Sequence, residues 1–435
     1  MNASTASPSA SSSRQILNAD SLRQLCLELG ADDVGFVELN RPALDPERAD
    51  ILTALPGTRT LISFTCRMNR EPIRSPFRSL ANKEFHQASD IISEVGHNIS
   101  RELERKSIRA LNISAGFPME ADRFPGRLWV ISHKPLAEAA GLGRMGIHRN
   151  VIHPKFGSFI LLGTILIDAE VTQYSHPIDY NPCVECKLCV AACPVGAIHA
   201  DGHFNFSACY THNYREFMGG FNDWVETIAD SRNARDYRSR VTGAETTSMW
   251  QSLSFGANYK AAYCLAVCPA GEDVISRFLT NKKQFVTDIL RPLQEKKETI
   301  YVIPGSDAED HVKKRFPCKT VKQVHNGLYV SSIAQLLNRL HVAFQPNQSA
   351  GLDVTYHFTF TGAESVNATI TIRDKRLTVQ EGLIGTPNLH VTADATTWLG
   401  FLRKERNILW ALLTRRIRLK GKIALLKQFA RCFPS

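Results

Sequence analysis

Four cysteines stand in one short run, Cys183-Val-Glu-Cys186-Lys-Leu-Cys189-Val-Ala-Ala-Cys193-Pro194. The thiolate of cysteine is a soft ligand for iron or zinc. A C-x2-C-x2-C-x3-C-P spacing lets three thiolates wrap one iron–sulfur cube while the fourth turns toward a second cluster. Proline suits the tight exit of such a loop, because its φ is fixed and it donates no hydrogen bond. Zinc sites usually pair two C-x2-C knuckles across a longer gap. Downstream, Tyr263-Cys264-Leu-Ala-Val-Cys268-Pro269 repeats the C-P ending, and Cys209 lies between the two stretches. These residues point to electron transfer through [4Fe-4S] clusters.

The paired motifs resemble the two-cluster bacterial ferredoxins. That resemblance implies a cluster A held by Cys183, Cys186, Cys189 and the distant Cys268. It implies a cluster B held by Cys193, Cys209 and Cys264. Cluster B is then one ligand short, because Ala261 stands where a complete second motif has cysteine. Three outcomes stay open: a [3Fe-4S] cluster, a four-iron cluster with a non-cysteine ligand, or an incomplete site. His212, three residues after Cys209, is the candidate substitute, since imidazole ligates iron in some clusters. The plain alternative for His212 is a polar neighbour satisfied by one hydrogen bond.

The elements around these cysteines must position them, and 435 residues suggest two or three domains. At 43% apolar the chain can bury sizeable cores. No apolar run reaches the length of a membrane span, and no secretory signal is recognisable. The Ser-rich residues 1–13 read as a disordered tail. Cys26, Cys66, Cys318 and Cys432 are expected as buried free thiols of a reducing, cytoplasmic compartment. The net charge of +10 is uneven: between Arg403 and Arg431 ten Lys/Arg face one acid, Glu405. That end suits an anionic partner such as a membrane surface, or simply a solvated face.

Hydrophobic periodicity predicts a helix over 16–30 capped by Asn18 or Ser21, strands at 34–37 and 60–65, and a short helix over 48–55. Residues 67–80, with Arg67, Arg70, Arg74 and Arg78 among prolines, read as a solvated or phosphate-binding loop. A long amphipathic helix follows over 81–106, then a strand at 110–114 and a loop at 116–118. Residues 136–163 read as a helix, a glycine turn, a loop and a buried strand, with Gly141, Gly143 and Gly146 free to bring backbone close to a bulky ligand. Residues 210–262 form a helical insert, and Phe204, Phe206, Tyr210, Tyr214, Trp224 and Trp250 are expected to shield the clusters. A helix is predicted from Phe278 to near Glu295, and a strand at 299–303.

The glycine block, Ala140-Gly141-Leu142-Gly143, Gly146, Asn150, Gly157-Ser158-Phe159 and Leu162-Gly163, is followed by the cysteine motifs. Together they resemble the epoxyqueuosine reductase family and its reductive dehalogenase relatives over about 15–275. Phe85-His86 resembles a shorter signature of the same family. The resemblance implies an α/β reductase-like domain holding a cobalamin, with Gly141, Gly143, Gly146, Asn150, Gly157 and Ser158 around it. It also implies an electron donor such as flavodoxin or ferredoxin, and a tRNA partner. The family carries its acid catalyst in a Val-Asp-Ser-Ala-Pro stretch. Here the corresponding stretch is Leu128-Trp-Val-Ile-Ser-His133-Lys134-Pro135, without an aspartate. His133 and Lys134 are the remaining candidate proton donors.

From about 317 β-alternation takes over, with a helix at 331–340 and strands at 354–360, 368–372, 377–379 and 389–392. Asp394 caps a helix holding Trp398, Leu399 and Leu402, and helices are expected over 395–413 and 422–431. Residues 325–433 resemble the sterol-carrier-protein type of lipid-binding domain, on Leu389-His-Val-Thr-Ala-Asp394 and Ile417-Arg-Leu-Lys-Gly421-Lys-Ile-Ala-Leu-Leu426. That resemblance implies an apolar, lipid-like ligand. The fold expected is an α/β reductase-like domain (14–175), a ferredoxin-like two-cluster module (176–275), a connector (276–316) and an α+β sterol-carrier-type domain (317–435). The function expected is an iron–sulfur oxidoreductase resembling epoxyqueuosine reductase. The alternative is a ferredoxin-like electron carrier tethered by its basic end.

Overall fold

The computed structural model describes residues 15–113, 131–183, 185–217, 219–325, 330–403, 405–406 and 408–434. The expected tail at 1–13, the loop at 116–118 and residues 128–130 of the proton-donor stretch lie outside the described residues. The chain forms two compact units that interleave in sequence. One comprises residues up to 70, 83–185 and 269–280, the other 71–82, 186–268 and 281–435.

The first unit is built on a four-stranded sheet of β1 (Asp33–Glu38), β2 (Thr60–Arg67), β3 (Ala110–Ile113) and β4 (Ile160–Ile167). Its order is β1-β2-β4-β3, and every neighbouring pair is antiparallel. Both faces are covered, so β2 is buried from Thr60 through Cys66 instead of alternating. On one face lie α1 (Ala19–Glu28) and α2 (Arg78–Arg105), with Leu22, Cys26, Ile92, Val95 and Ile99 against Phe36 and Phe64. On the other lies α3 (His133–Ala139), with Leu136 against Leu61 and Leu166. Asn18 caps α1 by accepting the Ser21 N–H at 2.9 Å, as its residue type and position predict.

The second unit opens its cysteine region with α4 (Leu188–Ala192), α5 (Phe206–Asn213) and α6 (Tyr263–Ala266). Helices Gly219–Ala229 and Gly243–Phe255 fill the insert between α5 and α6. Next come the parallel strands β5 (Thr299–Val302) and β6 (Thr320–Gln323), joined through a helix at Asp307–Arg315. A separate five-stranded sheet follows, comprising β7 (Asp353–Thr361), β8 (Val366–Arg373), β9 (Arg376–Glu381), β10 (Leu389–Asp394) and β11 (Ile417–Gly421). Its order is β9-β8-β7-β10-β11, with β7 and β10 parallel. The alternation legible in the sequence sorts the faces: Tyr356, Phe358, Ile370, Leu389 and Val391 point inward, while Thr355, Thr371, His390 and Arg418 occupy the other register. The inner face packs against Ile333, Leu340, Trp398 and Phe429 of the covering helices. Each such fully buried large side chain stabilises by about 2 kcal/mol.

Several expectations change. Residues 67–80 are not a solvated loop: a helix spans Arg70–Arg74, α2 begins at Arg78, and Arg74 and Arg78 are buried. The helix expected from Phe278 begins earlier, at Glu272, and ends at Thr280. Asn281 then caps a new helical run that reaches Glu295 through a π stretch at Val286–Leu290. The single helix expected over 395–413 is two, Ala395–Leu402 and Ile408–Leu413. Trp250 is 56% exposed, and Cys318 is exposed while Cys26, Cys66 and Cys432 are buried.

Candidate iron–sulfur site

The cysteine run is shaped by backbone that side-chain-bearing residues rarely adopt. Glu185 and Lys187 both have φ 52°, and Lys187 leads directly into α4. Left-handed conformations cost a non-glycine residue about 1 kcal/mol each. Surrounding contacts must therefore hold this winding. Cys189 is the second residue of α4 and is buried. Burial raises its thiol pKa well above the usual range, and the neighbouring sulfurs of Cys264, Cys268 and Cys186 push it the same way. Thiols from two distant stretches therefore gather around Cys189. Their mutual repulsion as anions is the arrangement that a bound cation reverses, since a coordinating thiol is deprotonated outright.

Cys193 ends α4 and is also buried. Burial raises its thiol pKa, while the N–H groups of Ala197, Val195, Ile198 and Gly196 act against it. The Ala197 N–H reaches the sulfur at 3.2 Å. Hydrogen bonds of this kind tune the potential of a cluster. Cys209 lies within α5, and Cys264 is the second residue of α6. Both lie beside Tyr214, whose phenol is raised by burial, by Tyr259 and by these two sulfurs. In the other unit, the Cys183 sulfur accepts the Ile147 N–H at 3.4 Å. Among the described residues no three His, Cys, Asp or Glu side chains form a group that could hold a single metal ion. A cluster distributes its thiolates over several irons and does not need such a group.

His212 is fully buried against β5, where its Nδ1 accepts the Tyr301 N–H at 3.3 Å. Burial brings its pKa down to about 3, so the ring is neutral. A neutral ring whose Nδ1 accepts must carry its proton on Nε2. That nitrogen then has no lone pair for iron, and it finds no hydrogen-bond partner among the described residues. A metal-ligating histidine does the reverse, donating from its other ring nitrogen.

The glycine block is packed tightly against the rest of the first unit. A Cβ on Gly141 would meet the His176 carbonyl at 2.5 Å, on Gly143 the Ile152 carbonyl at 2.4 Å, and on Gly157 the Ala270 carbonyl at 2.1 Å. On Gly146 it would meet the Ile152 side chain at 2.7 Å. These glycines let the chain close on itself. Asn150 accepts the Lys134 ammonium at 3.2 Å, and Lys134 also donates to the Arg149 carbonyl at 2.6 Å. Ser158 is buried. His133 Nδ1 lies 2.7 Å from the Thr164 hydroxyl, which ties it to β4. Both candidate proton donors thus brace the fold of the first unit.

Residues 176–199 match the 4Fe-4S binding domain family. Over about half its length the chain is homologous to epoxyqueuosine reductases. The enzyme of Escherichia coli is 27% identical over 241 residues, which cover 49% of this chain and 61% of that protein. The enzyme of Vibrio cholerae is 25% identical over 240 residues, covering 46% and 59%. The chain thus spans about three fifths of the length of these relatives. A crystal structure of an epoxyqueuosine reductase with an epoxyqueuosine-modified tRNA stem loop aligns with 75% of this chain and 86% of that one, at 13% identity and a TM-score of 0.35.

Two groups that reading by spacing missed stand near the second half of the 4Fe-4S framework. The Arg78 guanidinium lies over the Tyr263 ring, 5.3 Å from its centre. Burial lowers its pKa, while Tyr263, Glu298 and Cys264 favour the charged form. Its Nη1 donates to the carbonyls of Ile73 and Ser75, both at 3.4 Å, and its Nε and Nη2 have no partner among the described residues. The second group is a buried network. The Tyr263 hydroxyl donates to Glu298 at 2.7 Å, and Lys319, its side chain 1% exposed, donates to Glu298 at 2.7 Å and to the carbonyls of Leu293 and Lys296. Spacing marks Arg78 only as part of a basic loop and Lys319 by no local pattern, because their partners are distant in sequence.

Proposed function

We propose that the chain is an iron–sulfur oxidoreductase resembling epoxyqueuosine reductase, carrying electrons through two [4Fe-4S]-type clusters. The observation that supports this most is the packing of α4, which carries the buried Cys189, on α6, which carries Cys264. Cluster A would use Cys183, Cys186, Cys189 and Cys268, and cluster B would use Cys193, Cys209 and Cys264. Such clusters supply one-electron transfer when bound. The chain's own residues would set the potential, through the N–H groups around Cys193 and through the buried cation of Arg78. A small flavin or iron–sulfur protein would be the electron donor.

No step is assigned to a corrinoid, because the glycines around 141–157 pack against protein. The same packing, with His133 and Lys134 engaged in the fold, favours a second reading as an electron carrier without its own substrate. A tRNA partner belongs to the first reading. It would bind through phosphate contacts that weaken steeply with salt. For the C-terminal sheet, a lipid ligand would have to enter between it and its helices, where Phe358 already packs edge-to-face on Trp398 and tilted on Phe429, with ring centres 5.6 and 5.3 Å away.

The deciding experiment is anaerobic reconstitution with iron and sulfide, followed by metal analysis, an absorption spectrum and low-temperature EPR. Uptake of about eight irons per chain with a cluster spectrum is expected. A folded protein that takes up no iron overturns the reading. Cobalamin, a fluorescent fatty-acyl probe and epoxyqueuosine-containing tRNA, added separately to the reconstituted protein, separate the enzyme from the carrier.

A further inference from the structure

The two cysteine stretches repeat one backbone device. In the first, Lys187 takes φ 52°, ψ 18° and opens α4, Cys189 is the second residue of the helix, and Cys193-Pro194 closes it. In the second, Ala262 takes φ 54°, ψ 26° and opens α6, Cys264 is the second residue, and Cys268-Pro269 follows. The two short helices pack on each other. Superposed on this device, Ala261 occupies the position of Cys186, one residue before the left-handed residue and three before the helical cysteine. Ala261 is buried, at 5% exposure, so its position faces the interior just as a ligand would. Its methyl group offers no donor atom.

The loop is also held differently there. The Asn213 side-chain carbonyl accepts the N–H of Ala261 at 3.0 Å and of Ala262 at 2.7 Å, and the Asn213 backbone carbonyl accepts the N–H of Lys260 at 3.1 Å. The corner is therefore kept in its ligand-bearing shape by α5, the helix that carries Cys209. His212, beside Asn213 on α5, has its Nδ1 turned to the Tyr301 N–H and so carries its proton on the nitrogen that would bind iron, while His311 stands instead at the Cys193 end, its ring against Gly196.

We infer that the cluster of Cys193, Cys209 and Cys264 has one iron without a protein ligand, at the corner marked by Ala261, open to a small anionic or aqua ligand. This rests on the reading of the chain as a two-cluster protein. An iron held only by the cluster sulfides and a solvent ligand is the one lost on oxidation. The balanced step is [4Fe-4S]2+ → [3Fe-4S]+ + Fe2+ + e−, with ferricyanide taking the electron and no sulfide leaving. Cyanide, a strong donor small enough for such a corner, would bind the same iron before its loss.

The test uses the full-length protein reconstituted anaerobically. Wild type treated with ferricyanide and desalted is expected to lose about one iron per chain, keep all its sulfide, and gain a three-iron EPR signal. Added Fe2+ and reductant should restore the lost iron. Cyanide should shift the EPR spectrum of one reduced cluster in wild type. Ala261→Cys should keep all its iron under ferricyanide and ignore cyanide. If that variant does not fold, the wild-type measurements decide alone. A wild-type protein that keeps about eight irons through oxidation and is blind to cyanide overturns the open corner while leaving the two-cluster reading intact. A protein holding only about four irons overturns it as well, by leaving the second site vacant. Failure to take up any iron sinks both readings together.

Discussion

The two halves of the cysteine framework share a backbone and differ in what fills it. The first half brings Cys186 and Cys189 into a loop wound through left-handed Glu185 and Lys187. The second keeps the left-handed entry at Ala262 but replaces the cysteine before it with Ala261 and hands its N–H groups to Asn213. The difference teaches that the left-handed entry forms without a cysteine before it. There the side-chain amide of Asn213 holds it. Around the second half the chain also invests more in buried charge, with Arg78 over Tyr263 and Lys319 locked to Glu298.

The comparison can be broken most forcefully at Cys189. Cys189→Ala should abolish the spectrum of one cluster and cut iron content by about half, because it removes the thiol around which the others gather. Retention of both EPR signals would show that the first half does not organise a cluster.

Lys319→Met comes next. It leaves Glu298 buried beside Tyr263 with Lys296, at 3.2 Å, as its remaining ion-pair partner among the described residues. Removing one partner of a buried pair costs about 3 kcal/mol. Urea unfolding of the variant should show a loss of that size, with α6 and hence the second cluster most affected. The same pair gives a pH dependence. Burial alone would raise the Glu298 carboxyl, but Lys319 and Lys296 overcome this and hold it below its ordinary value. A lowered carboxyl contributes stability above its unfolded pKa of about 4.3, and the contribution is lost as pH falls through the folded value. Stability should therefore drop in acid below about pH 4, and Glu298→Gln should reduce that slope. An unchanged slope would assign the acid sensitivity to other carboxylates.

Asn213→Ala sharpens the contrast between the loops. It deprives the N–H groups of Ala261 and Ala262 of their acceptor, which should cost about 2 kcal/mol. It should alter the EPR spectrum of the second cluster and leave the first unchanged. Movement of both spectra would mean that the halves are not independently held.

The smallest expected effect is at Arg78. Arg78→Met removes a buried cation beside Tyr263 and Cys264, so the second cluster should become harder to reduce by a few tens of mV, as expected for one charge at intermediate dielectric. Redox titration followed by EPR reads this directly. A potential that stays put would place the arginine's role in packing alone.

Much of this protein could be read from spacing. The cysteine run, the C-P endings, the caps at Asn18 and Asp394 and the alternation of β7 and β10 are local patterns. Each reflects a dihedral preference, a cap or a period that a few neighbouring residues set among themselves. Ala261, standing where the first stretch has Cys186, could be singled out for the same reason. What spacing could not supply is the partner of each polar or unsubstituted position, because partners come from distant chain. Gly157 has φ +67°, and the Ala270 carbonyl, distant in sequence, comes down where a Cβ would stand. Arg78 is a buried cation over Tyr263, although its neighbours in sequence look like a solvated loop. His212 looked like a ligand by its distance from Cys209, and the N–H of Tyr301 on another strand sets its tautomer against that role. Local backbone geometry costs little information to encode. The protonation, burial and pairing that decide chemistry follow only from which surfaces the folded chain brings together.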